Sequence, residues 1–196
     1  MPKVSDEHLE ARRRQILDAA TRCFAREGFH GTSMQDIFRE SGLSAGAVYR
    51  YFPGKGDIVE AIVLHKREVL AEHMAGVLGQ AELPPLEEIF AGFTEAVREI
   101  ADLDVLGLIP QAWALATYDP VVGPAIRGLL DTLRDYWVAV AVRMRAEGTL
   151  APDADAVAVG RTLFSMMPGF ILQNALFKDF TPEEFQRGIT GLRARV

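Results

Sequence analysis

A chain of 196 residues with 49% apolar side chains holds enough hydrophobic material for a packed core, and 24% charged residues without a low-complexity run excludes a largely disordered polymer. The net charge of −6 speaks at first against a nucleic-acid partner, yet residues 1–56 carry a small basic excess and the remainder is acidic. One cysteine, Cys23, permits no internal disulfide and fits a reducing compartment.

Between residues 9 and 27, Ile16, Ala20, Cys23 and Phe24 recur at spacings of three and four, which predicts a helix with one apolar face, stopped by Gly28. Ser33 caps a second helix, Asp36 completes a capping-box-like pair, and Met34, Ile37 and Phe38 supply its buried side. Gly42 stands where a left-handed residue closes a helix. Ser44 caps a third helix running to about Phe52, ended by Pro53-Gly54. A long helix follows from Lys55 to about Val77, its inner face assigned to Ile58, Ala61, Ile62, His65, Val69 and Met74. Further helices are expected over residues 86–101, 105–117, 120–147, 153–177 and 181–195. Asp119-Pro120 opens the third of these, Thr181-Pro182 opens the last, and Gly148 closes the longest. Pro168-Gly169 should kink the helix over residues 153–177. Alternating strand patterns of useful length are missing from the sequence. The expected fold is all-α, with a three-helix head over residues 1–54 and a larger helical body over residues 55–196.

The segment from Thr32 to Lys55 carries the chemistry. Gly42-Leu43-Ser44 has the length of a helix-turn-helix connection, and the helix after it opens with Ala45-Gly46-Ala47. Side chains this small let the backbone come close to phosphates and base edges. Thr32 or Ser33 can offer a hydroxyl to another phosphate. Tyr49, Arg50 and Tyr51 can bond phosphate oxygens, and a tyrosine face can touch a thymine methyl. Lys55 is expected as a mobile cation, whose removal would lower the salt slope of binding by about one unit. Val48 and Phe52 read as buried.

The run G-F-x-G-T-S-x-x-D-I over residues 28–37, the block S-G-L-S-A-G-A-V-Y-R-Y-F over residues 41–52, and Lys55 just beyond resemble the TetR family of bacterial transcriptional regulators. The likeness covers about residues 12–62. It implies phosphate or base contacts by Thr32, Ser33, Gln35, Ser44, Ala45, Gly46, Ala47, Tyr49, Tyr51 and Lys55. It also implies a body that binds small molecules, and a homodimer whose four-helix bundle is built from residues 153–177 and 181–195. Two-fold symmetry would set two heads roughly 34–36 Å apart, the spacing at which a palindromic operator in double-stranded DNA is read in successive major grooves. Three positions depart from the family pattern. A basic or polar side chain is common where Ala45 and Ala47 stand, which thins direct base reading, and an acidic residue is usual where Gly56 stands, with Asp57 as its substitute.

In the body, Phe90, Phe93, Trp113, Tyr118, Trp137, Met144, Met166 and Phe170 are candidates to line a cavity for a small apolar or amphipathic ligand. Gln111 and Gln173-Asn174 are the polar groups expected either to orient it or to bond each other across a dimer interface. The four histidines are scattered, with His65 read as a core residue, and form no metal site. A phosphate loop, nucleophile elbow or catalytic dyad does not stand out, so neither an enzyme nor a cofactor is expected. The opening residues lack a secretory signal, and the longest apolar stretch, residues 162–177, falls short of the ~20 apolar residues of a membrane span. The expectation is therefore a cytoplasmic, ligand-responsive, homodimeric DNA-binding regulator: a repressor released from its operator by its effector. Two other readings stay open: a dimeric DNA-binding regulator with no ligand, and a helical carrier of small molecules or lipids with no operator.

Overall fold

The computed structural model describes residues 6–100 and 107–192, and every regular element within them is a helix. In chain order these are α1 (Asp6–Gly31), α2 (Met34–Ser41), α3 (Ala45–Tyr49), α4 (Lys55–Leu78), α5 (Leu86–Ile100), α6 (Leu108–Tyr118), α7 (Gly123–Ala146), α8 (Ala156–Phe177) and α9 (Pro182–Leu192). They fall into two compact units. One holds the chain through His65 together with Gly107–Ile126; the other holds Lys66–Leu106 and Arg127–Val196. The first unit thus takes in the start of α4 and all of α6 besides the head expected over residues 1–54.

The first unit closes around Ile16, Leu17, Ala20 and Phe24 of α1, Ile37 of α2, Val48 of α3, Phe52, and Ile58 and Ala61 of α4, with Leu108 packed against them. Burying an isoleucine as fully as Ile37 or Ile58 contributes roughly 1.5–3 kcal/mol. Gly28 breaks α1 at φ 72°, ψ 169°, a left-handed conformation that a Cβ would strain. The Thr32 amide and hydroxyl then both donate to the Gly28 carbonyl, at 3.2 and 2.8 Å. The expected capping box is present. The Ser33 amide donates to Asp36 Oδ2 at 2.9 Å and the Asp36 amide donates to Ser33 Oγ at 3.3 Å. Gly42 closes α2 at φ 68°, its amide donating to the Arg39 carbonyl, and Gln15 Nε2 reaches the Ser41 carbonyl at 2.7 Å.

The second unit is built on an aromatic cluster. Phe90 stacks on Trp137 at 4.3 Å between centroids and meets Phe185 edge-on, while Phe170 stacks on Phe185 at 4.9 Å. The Arg143 guanidinium of α7 donates to the carbonyls of Leu78, Gln80 and Ala81 at 2.7, 3.0 and 3.2 Å, satisfying the C-terminal end of α4. Its ion-pair partner Glu147 accepts the Leu83 amide, so one side-chain pair closes the loop after α4.

Several boundaries move from their expected places. α3 ends at Tyr49 rather than near Phe52, although the amides of Tyr51 and Phe52 still bond the Val48 carbonyl. α7 begins at Gly123, because Asp119 Oδ1 accepts the amides of Val121 and Val122 and folds residues 120–122 into a turn. α8 begins at Ala156 behind an Asp155 cap, and Pro168 lies inside it without ending it. Residues 101, 105, 106 and 193–195, expected from the sequence to be helical, lie outside the described residues. On α4, His65 and Val69 are exposed, whereas Leu70 and Val77 are buried beside Met74.

Candidate nucleic-acid interface

α3 is held by its apolar inner residue and offers the rest to solvent. Val48 is fully buried, while Ser44, Ala45, Gly46, Tyr49 and Arg50 are exposed and Ala47 and Tyr51 are half-buried. Ser44 Oγ accepts the Ala47 amide, fixing the first turn. A Cβ added at Gly46 would meet nothing within 4 Å, so no packing requirement keeps glycine there. Tyr49 is 49% exposed, with its ring held edge-on by Phe38 at 5.3 Å. From α2, Ser33 and Gln35 lie exposed next to this face in sequence. Thr32 is different: it is 1% exposed, and its hydroxyl hydrogen is committed to the Gly28 carbonyl.

The cations of the head are largely engaged within it. Arg22 and Arg26 share Glu40 at 2.7 and 3.5 Å, and Arg39 pairs with Asp36 at 2.5 Å. Those contacts hold both carboxyls below the ordinary range. For Glu40 the main cause is the hydrogen bond from Arg22; for Asp36 it is the Ser33 hydroxyl, then the Ser33 amide. Arg12 donates to Gln15, and the Arg13 guanidinium lies 5.5 Å from the centroid of Phe52. Exposed pairs of this kind are worth little and reopen readily when a phosphate approaches.

Lys55 is not the free cation its sequence position suggests. Its ammonium donates to the Phe29 carbonyl at 2.6 Å and the Thr32 carbonyl at 2.8 Å, and it lies 4.3 Å from the centroid of the Phe29 ring. Burial pushes its pKa down. Gly56, the departure noted above, has a packing reason: a Cβ there would stand 2.6 Å from Val121 Cγ1. Asp57 supplies the acidic residue in the first turn of α4.

A short helix with a capped, small-residue start, presented on a three-helix core behind a glycine-closed α2, is the geometry of a major-groove reading head. Residues 16–62 match the bacterial regulatory proteins of the tetR family. The chain belongs to the TetR family. Over nearly its whole length it is similar to the HTH-type transcriptional regulator YfiR of Bacillus subtilis, with 29% identity over 189 residues, 91% of this chain and 86% of that one. Its head resembles that of the HTH-type transcriptional repressor Rv1474c of Mycobacterium tuberculosis, with 42% identity over 71 residues, 36% of this chain and 38% of that one. In fold it is similar to the regulator FadR from Bacillus subtilis in complex with stearoyl-CoA, with a TM-score of 0.75 at 17% identity, covering 91% of this chain and 96% of the other. The chain is a helix-turn-helix transcriptional regulator of that family.

The candidate effector residues of this TetR-family chain divide into groups. Phe90, Phe93, Trp137, Met144 and Phe170 are buried in the second unit, and Met166 is half-buried on α8. Gln173 is exposed on α8. Gln111, Trp113 and Tyr118 belong to α6 in the first unit. There Gln111 Oε1 lies 2.9 Å from where a Cβ of Gly28 would be, and the Tyr118 hydroxyl lies 3.1 Å from His30 Nε2. Polar atoms that the sequence reading passed over sit in the second unit. Among the described residues, Trp137 Nε1 and His73 Nε2 are buried without a hydrogen-bond partner, His73 beside Gly92 and Trp137 against Phe90 and Phe93. Sequence offers only a faint signal for either, because a tryptophan and a histidine at helical spacing are ordinary core residues.

Proposed function

We propose that this regulator is a cytoplasmic homodimeric repressor that sets α3 of each protomer in successive major grooves of a palindromic operator and leaves it when a small apolar or amphipathic effector binds. The observation that carries the reading is the exposed face of α3, Ser44 to Gly46 with Tyr49 and Arg50, on a core that buries Val48 completely. Ser33, Gln35 and Tyr51 complete the proposed contact set. Phosphate bonds from Ser33, Tyr49, Tyr51 and Arg50 would position the helix, and the close approach at Gly46 would let its backbone reach the groove.

Dimerisation is supported by apolar side chains on α8 and α9 that a lone protomer leaves in water. Val157, Leu172, Leu176, Phe177 and Leu192 are 46, 43, 65, 66 and 75% exposed. Effector binding is supported by the aromatic cluster and by the unpartnered Trp137 indole N–H, a donor that an acceptor on a ligand would satisfy. The stearoyl-CoA of FadR and the repressor name of Rv1474c accord with both halves of the proposal. An effector of this kind acts only through its different affinities for the DNA-competent and released states, and a near-complete switch needs about 5.5 kcal/mol.

The test is footprinting of the DNA immediately upstream of the chain's own gene, with sedimentation of the complex and a thermal-shift panel of lipophilic compounds. Protection of a two-fold site by two protomers, lost on adding a compound that raises the melting temperature, is the expected outcome. A protein stabilised by lipophiles that protects no DNA at moderate salt would be a carrier instead.

A further inference from the structure

We propose that the effector is a neutral carbonyl compound on an apolar body (a ketone, ester or lactone) whose oxygen accepts the indole N–H of Trp137. The proposal rests on the reading of the second unit as an effector-binding body and names the chemical class that this body takes.

Trp137 of α7 is fully buried, and among the described residues its Nε1 has no hydrogen-bond partner. An indole N–H can only donate, and a buried donor left without an acceptor carries its full desolvation cost. Packing explains why its neighbours do not supply that acceptor. Phe90 stacks over the indole at 4.3 Å, Phe93 tilts against it at 6.0 Å, and Tyr136 meets it edge-on at 5.3 Å. Rings offer an N–H only their faces, which are weaker acceptors than an oxygen. On the side of α8 the helix backbone is closed off by Gly160, where a Cβ would stand 2.7 Å from the Trp137 carbonyl oxygen. An unpaired donor in an aromatic wall is how an apolar site orients its guest.

The surroundings also select the charge of the guest. Burial pushes the Tyr136 pKa up, so its phenol stays neutral beside the indole. Guanidiniums on α7 are already engaged: Arg134 with Asp131, and Arg143 with Glu147 and the carbonyls of Leu78, Gln80 and Ala81. A carboxylate brought to the indole would give up its hydration for a neutral donor, and a buried charge needs a counter-charge. An ammonium brings only donors and leaves the N–H unpaired. A hydrocarbon leaves it unpaired too. A carbonyl oxygen satisfies it without burying charge. His73 Nε2, beside Gly92 of α5, is the other unpaired ring nitrogen among the described residues; it can donate or accept, so it does not choose between these classes.

The experiment titrates the full chain with butyrophenone, butylbenzene, phenylbutyrate and phenylbutylamine, which share a phenyl ring and a short alkyl chain. The readouts are melting temperature and the Trp137 indole N–H resonance, assigned by its loss in Trp137→Phe. Butyrophenone should bind about tenfold more tightly than each of the others and move that resonance downfield. Trp137→Phe removes the donor and keeps an aromatic ring, so butyrophenone should then bind no better than butylbenzene. Equal affinities, tightest binding by the amine or the carboxylate, no binding by any probe, or a carbonyl preference that survives Trp137→Phe overturns the proposal. The wild-type resonance decides the matter if the variant does not fold, since an indole N–H unmoved by bound butyrophenone also overturns it. Upstream DNA in the same samples separates this from the reading beneath it. A carbonyl preference in a chain that protects no DNA supports the site and removes the regulator, whereas DNA released by probes without that preference keeps the regulator and overturns the site.

Discussion

Gly160 of α8 lies against Val138 of α7 so closely that a Cβ on the glycine would stand 2.4 Å from Val138 Cα and 2.7 Å from the Trp137 carbonyl oxygen. Both neighbours are backbone, which cannot swing aside as a side-chain end can. The contact sets how near the two helices approach, and through Trp137 it sets the seat of the aromatic cluster.

Gly160→Ala should therefore destabilise the protein by about 1–3 kcal/mol or more, read as the midpoint of urea unfolding. Gly169→Ala on the same helix is the comparison. A Cβ there meets nothing within 4 Å, and the higher helix propensity of alanine should stabilise by roughly 0.5–1 kcal/mol. Equal effects of the two substitutions would remove Gly160 from the helix–helix contact.

The capping box at Ser33 and Asp36 gives the head a pH dependence of known sign. The Ser33 hydroxyl and amide lower the Asp36 pKa below its ordinary value. A carboxyl depressed on folding contributes stability that is fully present above its unfolded pKa of about 3.9 and is lost as pH falls through the folded value. Asp36→Asn should lower the melting temperature at pH 7 and flatten its decline below about pH 4. A variant that keeps the wild-type acid profile would show that Asp36 adds nothing to the cap.

What the sequence makes legible follows from how local each feature is. Ser33 with Asp36, Gly42, Ser44 with Ala47, and Thr181 with Glu184 are caps made within three residues, and the structure has each where the pattern puts it. Asp119-Pro120 shows the limit of the same reasoning, because a carboxylate ahead of two amides makes a turn as readily as a helix start. Longer-range facts are not written in spacing. On α4 the choice between Val69 and Leu70 as the buried residue depends on what packs there, and periodicity alone favoured the wrong one. Likewise, the bonds from Lys55 to the carbonyls of Phe29 and Thr32 join segments 26 and 23 residues apart, which spacing alone does not show.

The exposed apolar surface of α8 and α9 predicts the assembly. Leu176 and Phe177 are 65 and 66% exposed, and replacing either with glutamate would set a charge in the proposed dimer bundle. Phe177→Glu should sediment as a folded monomer with unchanged helicity. Its affinity for a palindromic site should fall by about a hundredfold or more, because the two heads no longer bind as one. A dimer that survives Phe177→Glu and Leu176→Glu together would place the interface elsewhere.

The most direct check on the head separates fold from function at a single position. Gly46 lies on the exposed start of α3, and a Cβ added there meets no atom of the described residues within 4 Å. Gly46→Leu should leave the fold intact or slightly more stable, since leucine has a higher helix propensity than glycine. The same side chain would occupy the space through which the helix approaches DNA. Affinity for the upstream DNA should fall by about tenfold or more, equivalent to ~1.4 kcal/mol, with no loss in melting temperature. Because Gly46 carries no charge, the salt slope of the remaining binding should change little. Wild-type affinity in a stably folded Gly46→Leu protein would mean that this face of α3 does not enter the groove.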